Sequence, residues 1–404
     1  MDVGFTLFGI PFRLGEVAFF LSFFRLLDIK YISKVKRVHV IGILILGLLI
    51  TNLSLVLITK MFSVVDQNFY YKYIFRNFLY IIVLFSFVLR PLNYGAIEYE
   101  RYIRYILYLT LIFYGIELVD YYVINFNWSE AVFVSRQGKT IFSDFIIRFA
   151  GQSSEPAYII PLLSIPLMYG YHTRKIKYSA ISIVLMLLPF SSFGYVVILM
   201  SILYIFFVIR DVQIKRKVRL FLVYSLSGGV LVALIFAKKL ETIILYNWSK
   251  FQAYFGVKGV NEWSADQRSG HIDLATTLYD TSSWWQKIIG SGTGYYSLMR
   301  KNFILYYLDD AEEAHNLYIS SLTDRGVLGV IVVGLLFYAI VKIKIPKEIN
   351  GAAKSFFMAI RFGILVRIFH WFFTGMLWQY YFWVEVIIIL SASTYYMRIS
   401  HEKR

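Results

Sequence analysis

The chain has 404 residues, 58% hydrophobic and only 16% charged, a balance that excludes an ordinary water-soluble domain and points to a bilayer. Its formal net charge of +16 would suit a polyanion, but the Lys and Arg residues fall in short clusters between apolar runs, so they read as membrane orientation and no nucleic-acid partner is expected. It has no cysteine, which excludes disulfides, iron–sulfur clusters and thiolate metal sites.

In chain order, apolar runs lie near 5–27, 39–62, 73–89, 104–121, 156–171, 178–190, 193–209, 219–237, 317–341, 355–375 and 377–397. Many approach the ~20 residues that cross a bilayer. They predict an all-α polytopic integral membrane protein with about 11 (roughly 10–12) transmembrane helices, forming a single transmembrane domain over 1–404. The first run contains Pro11, Arg13 and Glu16 and lacks a small-residue cleavage site, so it reads as a retained span, or as a short or re-entrant one, and not as a signal peptide. Alternate connections are basic: Lys30/Lys34/Lys36/Arg37, Arg90/Arg101/Arg104, Arg174/Lys175/Lys177, Lys215/Arg216/Lys217, Lys342/Lys344/Lys347 and the tail Arg398/Lys403/Arg404. Placed in the cytoplasm, they put the C-terminus inside and, with an odd number of spans, the N-terminus outside.

Two outer connections are long, 122–155 and 238–316, and loops of that size in a compact protein are usually functional. The first ends in Arg148-Phe-Ala-Gly-Gln-Ser-Ser-Glu155-Pro156, an arginine and a carboxylate at the mouth of a span, with proline suited to its first turn. The second has the alternation of helices and not the composition of a linker. Leu240 to Tyr254 reads as an amphipathic surface helix. Ser264-Ala-Asp-Gln267 resembles a capping box opening a further helix, with Arg268, Ile272, Ala275 and Tyr279 on one face. The run GSGTGYY, 290–296, follows no strand and precedes no Lys-Ser/Thr, so it reads as a tight turn that brings Tyr295 and Tyr296 near the site, and not as a phosphate loop. The acids Asp309, Asp310, Glu312 and Glu313 match no metal-ligand spacing and read as a solvated loop or a sugar contact.

The stretch EEAHNLYISSLTDRGVLGV, 312–330, sets His315 and Asn316 at the lip of an apolar run. From His315 the offsets to Tyr318, Leu322, Gly326 and Gly329 are 3, 7, 11 and 14, one stripe of a straight helix, on which the two glycines would allow close packing of a neighbour. The plainer alternative makes His315 an interfacial residue that happens to precede a span. Further on, Arg367 and Glu385 come out at comparable depth in two adjacent runs, which predicts a buried ion pair with His370 on the Arg367 face.

His315-Asn316, nine residues and then Gly326-Val-Leu-Gly329, with a glycine-rich turn and Arg268 upstream and RFAGQSSEP before a mid-chain span, together resemble the O-antigen and capsule polymerase (Wzy) and O-antigen ligase (WaaL) superfamily. The resemblance covers about residues 100 to 341; the turn Ser191-Ser192-Phe193-Gly194 departs from it by lacking a basic residue, and Asp324-Arg325 by its charge. It implies a GT-C-like helical fold with a large helical extracytoplasmic loop. The site would face the exterior of a bacterial cytoplasmic membrane, moving a glycan from an undecaprenyl-pyrophosphate carrier to a sugar hydroxyl. On the matching positions, Arg148 and Arg268 would clamp the pyrophosphate, His315 would activate the acceptor with Glu155 as the alternative base, and Asn316 would orient the loop or a sugar. The resemblance implies no metal and no cofactor; the partners are lipid-linked glycans, membrane lipids and a chain-length regulator. Within the superfamily the aromatic, lysine- and isoleucine-rich character resembles polymerases more than ligases. A lipid-linked-sugar flippase is the reading from another class, and the absence of repeated halves in the sequence speaks against it.

Overall fold

The computed structural model of the chain describes mainly residues 99–120, 156–189, 191–207, 262–292, 294–302, 316–343, 351–372 and 382–391, with short pieces at 4–7, 10–13, 42–45, 79–84, 141–143 and 146–147. Helices dominate: α1 (Tyr99–Val119), α2 (Ile159–Thr173), α3 (Ile176–Leu187), α4 (Ser192–Phe207), α5 (Glu262–Thr281), α6 (Trp284–Ile289), α7 (Tyr295–Asn302), α8 (Leu317–Val341), α9 (Gly351–His370) and α10 (Phe382–Ser391). Two short antiparallel strand pairs accompany them, β1 (Gly4–Leu7) with β2 (Ile10–Arg13) and β3 (Ile141–Ser143) with β4 (Ile146–Ile147). The first pair corrects the expected span at 5–27, whose opening residues are a hairpin. Leu7 pairs with Ile10, and Pro11 sits opposite Thr6, so the proline that would break a helix is accommodated in a strand. The expected runs at 39–62, 73–89 and 219–237 fall largely outside the described residues, as does the surface helix expected at 240–254.

α2 is the centre of the bundle. Every residue from Ile159 to Tyr171 is buried, the pattern of a helix apolar all round, and α1, α3, α4 and α9 pack about it. A 3-10 turn, Pro156–Tyr158, leads into it, and Arg174 closes it in the left-handed region at φ 62°, donating its N–H to the Tyr171 carbonyl at 3.3 Å. α9 approaches α2 at Gly363, where a Cβ would lie 2.6 Å from Ile165 Cγ1. A small residue there lets the two backbones close, as helices packed in lipid require.

Contacts at both ends show how the helices alternate. At one end Glu100, at the start of α1, takes hydrogen bonds from Lys175 Nζ and Tyr178 Oη, each at 2.5 Å, at the turn between α2 and α3. Toward the other end the Tyr114 hydroxyl of α1 donates to the Leu185 carbonyl of α3 at 3.0 Å. α1 and α3 therefore run together, and α2 runs against them.

Among the described residues two helices, Tyr99–Val119 and Leu317–Val341, are long and apolar enough to cross a membrane by length and composition. α8 is not straight, however. Gly326 has φ 64° and ψ −170°, and the ring of Phe337 lies 6.5 Å from that of Tyr318, whereas nineteen residues of straight helix would separate them by about 28 Å. Trp371 confirms the reversal, since its carbonyl accepts the Leu317 N–H at 2.9 Å while its ring stacks on Phe337 at 5.2 Å. α8 thus consists of a first arm before Gly326 and a returning arm after it, which corrects the single stripe expected from His315 to Gly329.

Candidate functional site

The mouth of the bundle forms where three helices begin and one ends. Asn316 caps α8: its Oδ1 accepts the Tyr318 and Ile319 N–H groups at 3.0 and 3.1 Å, and its Nδ2 donates to the Phe372 carbonyl at 3.2 Å. The Tyr318 hydroxyl donates to the Ile368 carbonyl at 3.0 Å. These bonds tie the start of α8 to the end of α9. On another side of α9, the His370 ring lies 4.3 Å from Phe193, at the start of α4, and 5.7 Å from Tyr158, just before α2. The N-termini of α2, α4 and α8 therefore converge, each the positive end of a helix dipole. Phe149 packs on Tyr114 at 4.9 Å, near the same end of α1 and α3.

Three of the expected site residues, Arg148, Glu155 and His315, lie outside the described residues. Their chain neighbours Phe149, Pro156 and Asn316 are described and sit at this one end of the bundle. Asn316 has its amide engaged on both sides by backbone, so the part of its expected role that the geometry fits is orienting the chain beside His315.

Just inside the mouth, Arg367 and Glu385 form the expected pair: Nη2 to Oε1 is 2.9 Å, with exposures of 0% and 1%. His370, also buried, lies one turn further along the same face.

Outside the mouth stands a second layer built of α5, α6, α7 and the first arm of α8. α5 begins at Glu262, two residues before the expected capping box, so Ser264 lies within the helix. Its buried face carries His271, Leu274, Ala275 and Leu278, rotated from the expected stripe and sharing Ala275 with it. α6 opens with a capping box between Ser283 and Gln286. The glycine run between α6 and α7 is the tight turn expected, with Gly290, Gly292 and Gly294 at φ 90°, 120° and 87°.

What the turn encloses was not anticipated. Asp324, buried on the first arm of α8, accepts the Gly294 N–H on Oδ2 at 2.8 Å and the Tyr296 N–H on Oδ1 at 3.0 Å, while its backbone carbonyl accepts the Gly292 N–H at 2.5 Å. The anion in this cradle of amides is the protein's own carboxylate. Gly290 and Gly326 make the approach possible: a Cβ on Gly326 would lie 2.5 Å from Gly290 N and from the Ile288 carbonyl oxygen. Gly329 instead makes room for the Arg325 side chain of its own helix, and buried Arg325 donates from Nη1 to Ser321 Oγ at 3.1 Å.

The same arm holds α5. Thr323 Oγ1 donates to the Ala275 carbonyl at 3.0 Å, and the Tyr296 hydroxyl meets His271 Nδ1 at 2.5 Å. Buried Tyr296 is thus occupied by packing and by His271. Tyr295 is half-buried, and burial, followed by the charge of Asp324, pushes its phenol above its ordinary pKa, so it stays protonated. Tyr296, whose N–H Asp324 holds, thereby links the first arm of α8 to α5 one turn before Ala275, and Arg268 lies two turns before Ala275 on the same helix.

Among the described residues no three His, Asp or Glu side chains gather as metal ligands, and the acids at 309–313 lie outside them. No known family model matches the sequence, and comparison with curated proteins gives no match.

Proposed function

We propose that the chain is a polytopic glycosyltransferase of the bacterial cytoplasmic membrane that polymerises undecaprenyl-pyrophosphate-linked repeat units on the outer face. The observation that carries this reading is convergence. The residue after Arg148, the turn after Glu155 and the cap after His315 gather at one end of the bundle, and the helix bearing Arg268 packs on the arm of α8 that starts there. A membrane setting is supported by apolar stripes left uncovered at helical spacing: Tyr105, Tyr108 and Ile112 on α1, Val196, Leu199 and Leu203 on α4, and Leu328, Ile331 and Leu335 on α8. Lipid tails match such surfaces, which water would drive to associate.

In this reading the acceptor hydroxyl attacks the anomeric carbon of the donor glycan as the bond from that carbon to the pyrophosphate oxygen breaks. The hydroxyl proton passes to His315, whose unperturbed pKa near about 6.5 suits a base, or to Glu155. The carrier departs as undecaprenyl pyrophosphate. That leaving group needs countercharge more than a proton, which Arg148, Arg268 and the convergent helix N-termini supply. Attack opposite the leaving group inverts the anomeric centre.

Deleting the gene in its own host tests the reading. The expected result is surface lipid carrying a single repeat unit. Long chains retained on the carrier and absent from the final acceptor would make the protein a ligase, and loss of lipid-linked units from the outer face would make it a flippase.

A further inference from the structure

We infer that the outer layer is seated on the bilayer through α6 and the returning arm of α8, which together form a surface for phospholipid acyl chains. The inference rests on the membrane setting of the proposed function and on none of its chemistry.

α6 has the reverse of the pattern expected beside water. Four of its six residues, Trp284, Trp285, Ile288 and Ile289, are apolar, none is buried, and Trp284 and Ile288 stand 75% and 43% exposed. Its two polar side chains are engaged within the layer. Gln286 closes the capping box with Ser283, and Lys287 carries its ammonium over the ring of Tyr279 on α5, at 5.8 Å. Trp284 and Ile288, four apart, share one face, and an outward face of tryptophan and isoleucine suits the apolar side of a membrane interface.

That face continues onto α8. The chain at Ile288 to Gly290 abuts the elbow, where a Cβ on Gly326 would lie 2.5 Å from the Ile288 carbonyl oxygen. Directly after the elbow, Val327, Leu328, Ile331, Leu335 and Tyr338 are exposed at helical spacing, a stripe about 16 Å long that carries no charge. The other side of the same arm, Val333, Leu336, Phe337 and Ile340, is buried in the bundle core. The stripe therefore joins the outer layer to the flank of the bundle.

α5, in the same layer, supplies the contrast. Away from its buried residues it carries Asp273, Thr276, Thr277 and Asp280, all exposed. A layer wholly in water would show polar faces of that kind on α6 and the arm as well. A layer wholly in lipid would not carry two exposed carboxylates on α5. The boundary between water and lipid passes through the layer, and the continuity of the stripe with the bundle flank favours lipid over a second copy of the chain as its cover.

The chain has no cysteine, so single thiols can be introduced and labelled with an environment-sensitive nitrobenzoxadiazole dye. Ile288→Cys, Leu328→Cys and Ile331→Cys probe the apolar surface; Thr277→Cys and Asp280→Cys probe α5. All five side chains are exposed, so labelling disturbs no packing, and Trp284→Cys or Leu335→Cys repeats the comparison should one variant not accumulate. The full chain is placed in nanodiscs of phosphatidylethanolamine and phosphatidylglycerol. Dyes at 288, 328 and 331 should emit to the blue of those at 277 and 280, and a phospholipid spin-labelled on its acyl chain should quench them several-fold more. Aqueous iodide should show the opposite order. Equal iodide quenching at all five positions would put the surface in water and overturn the inference. Shielding of 288 and 328 from iodide and spin-labelled lipid alike would show that protein covers the surface, and would overturn it too. A chain that alkaline carbonate strips from membranes would contradict the membrane setting itself, whereas a chain that stays inserted with wet dyes on α6 would contradict only the seating.

Discussion

The bundle around α2 and the outer layer around Asp324 are held by different physics. In the bundle, burial is broad and non-directional: α2 is enclosed on every side, and the contacts of any one side chain are a small part of the whole. In the outer layer the apolar cluster is small, chiefly Leu274, Ala275, Leu278 and Tyr296, and the layer depends on a few directional bonds to one aspartate and one threonine. A scaffold of the first kind tolerates substitution and keeps its shape. A layer of the second kind can be placed accurately by few residues and displaced by losing one of them.

The exception inside the bundle offers the sharpest break in that contrast. Arg367→Met or Glu385→Leu alone leaves an unpaired buried charge and should destabilise by about 3–5 kcal/mol, while the double change should cost less than either. Thermal unfolding in detergent reads the cycle; equal damage from all three variants would show that the pair is not a unit. In the outer layer, Gly326→Ala meets backbone at 2.5 Å in a left-handed conformation and should cost about 2–4 kcal/mol, seen as early protease cleavage within 238–316 while the bundle stays folded. At the boundary, Asn316→Ala removes a cap and the bond to Phe372, an effect of about 1–2 kcal/mol on the docking of α8 against α9. The Glu100–Lys175 pair, both side chains over a third exposed, should matter least: Glu100→Gln should change stability by less than about 1 kcal/mol and less still at high salt.

Legibility in the sequence divides along the same line. Apolar runs predicted α1 to α4 and α8 to α10 because burial is written in composition, and counting residues from the span ends was enough to pair Arg367 with Glu385. The glycine turn was readable as a turn because Gly-x-Gly-x-Gly has few other uses. Its partner was not, because a hydrogen bond between residues about thirty apart leaves no local period; the available signal was a lone acid, Asp324, in an otherwise apolar stretch. The reversal at Gly326 was hidden for a related reason. A glycine on a helix reads equally as close packing or as a left-handed joint, and only the chain it meets, Ile288 and Gly290, decides between them. At the N-terminus, Phe8-Gly9 between β-prone residues was a hairpin signal outweighed by the apolar run that follows.

The most direct test of the central claim is the product made by the purified full chain in vesicles supplied only with undecaprenyl-pyrophosphate-linked repeat units. A ladder of glycans growing by one repeat, with one undecaprenyl pyrophosphate released per linkage and none formed by the His315→Ala variant, is the result expected. Intact repeat units after incubation with a folded wild-type chain, or an undiminished ladder from His315→Ala, would contradict it.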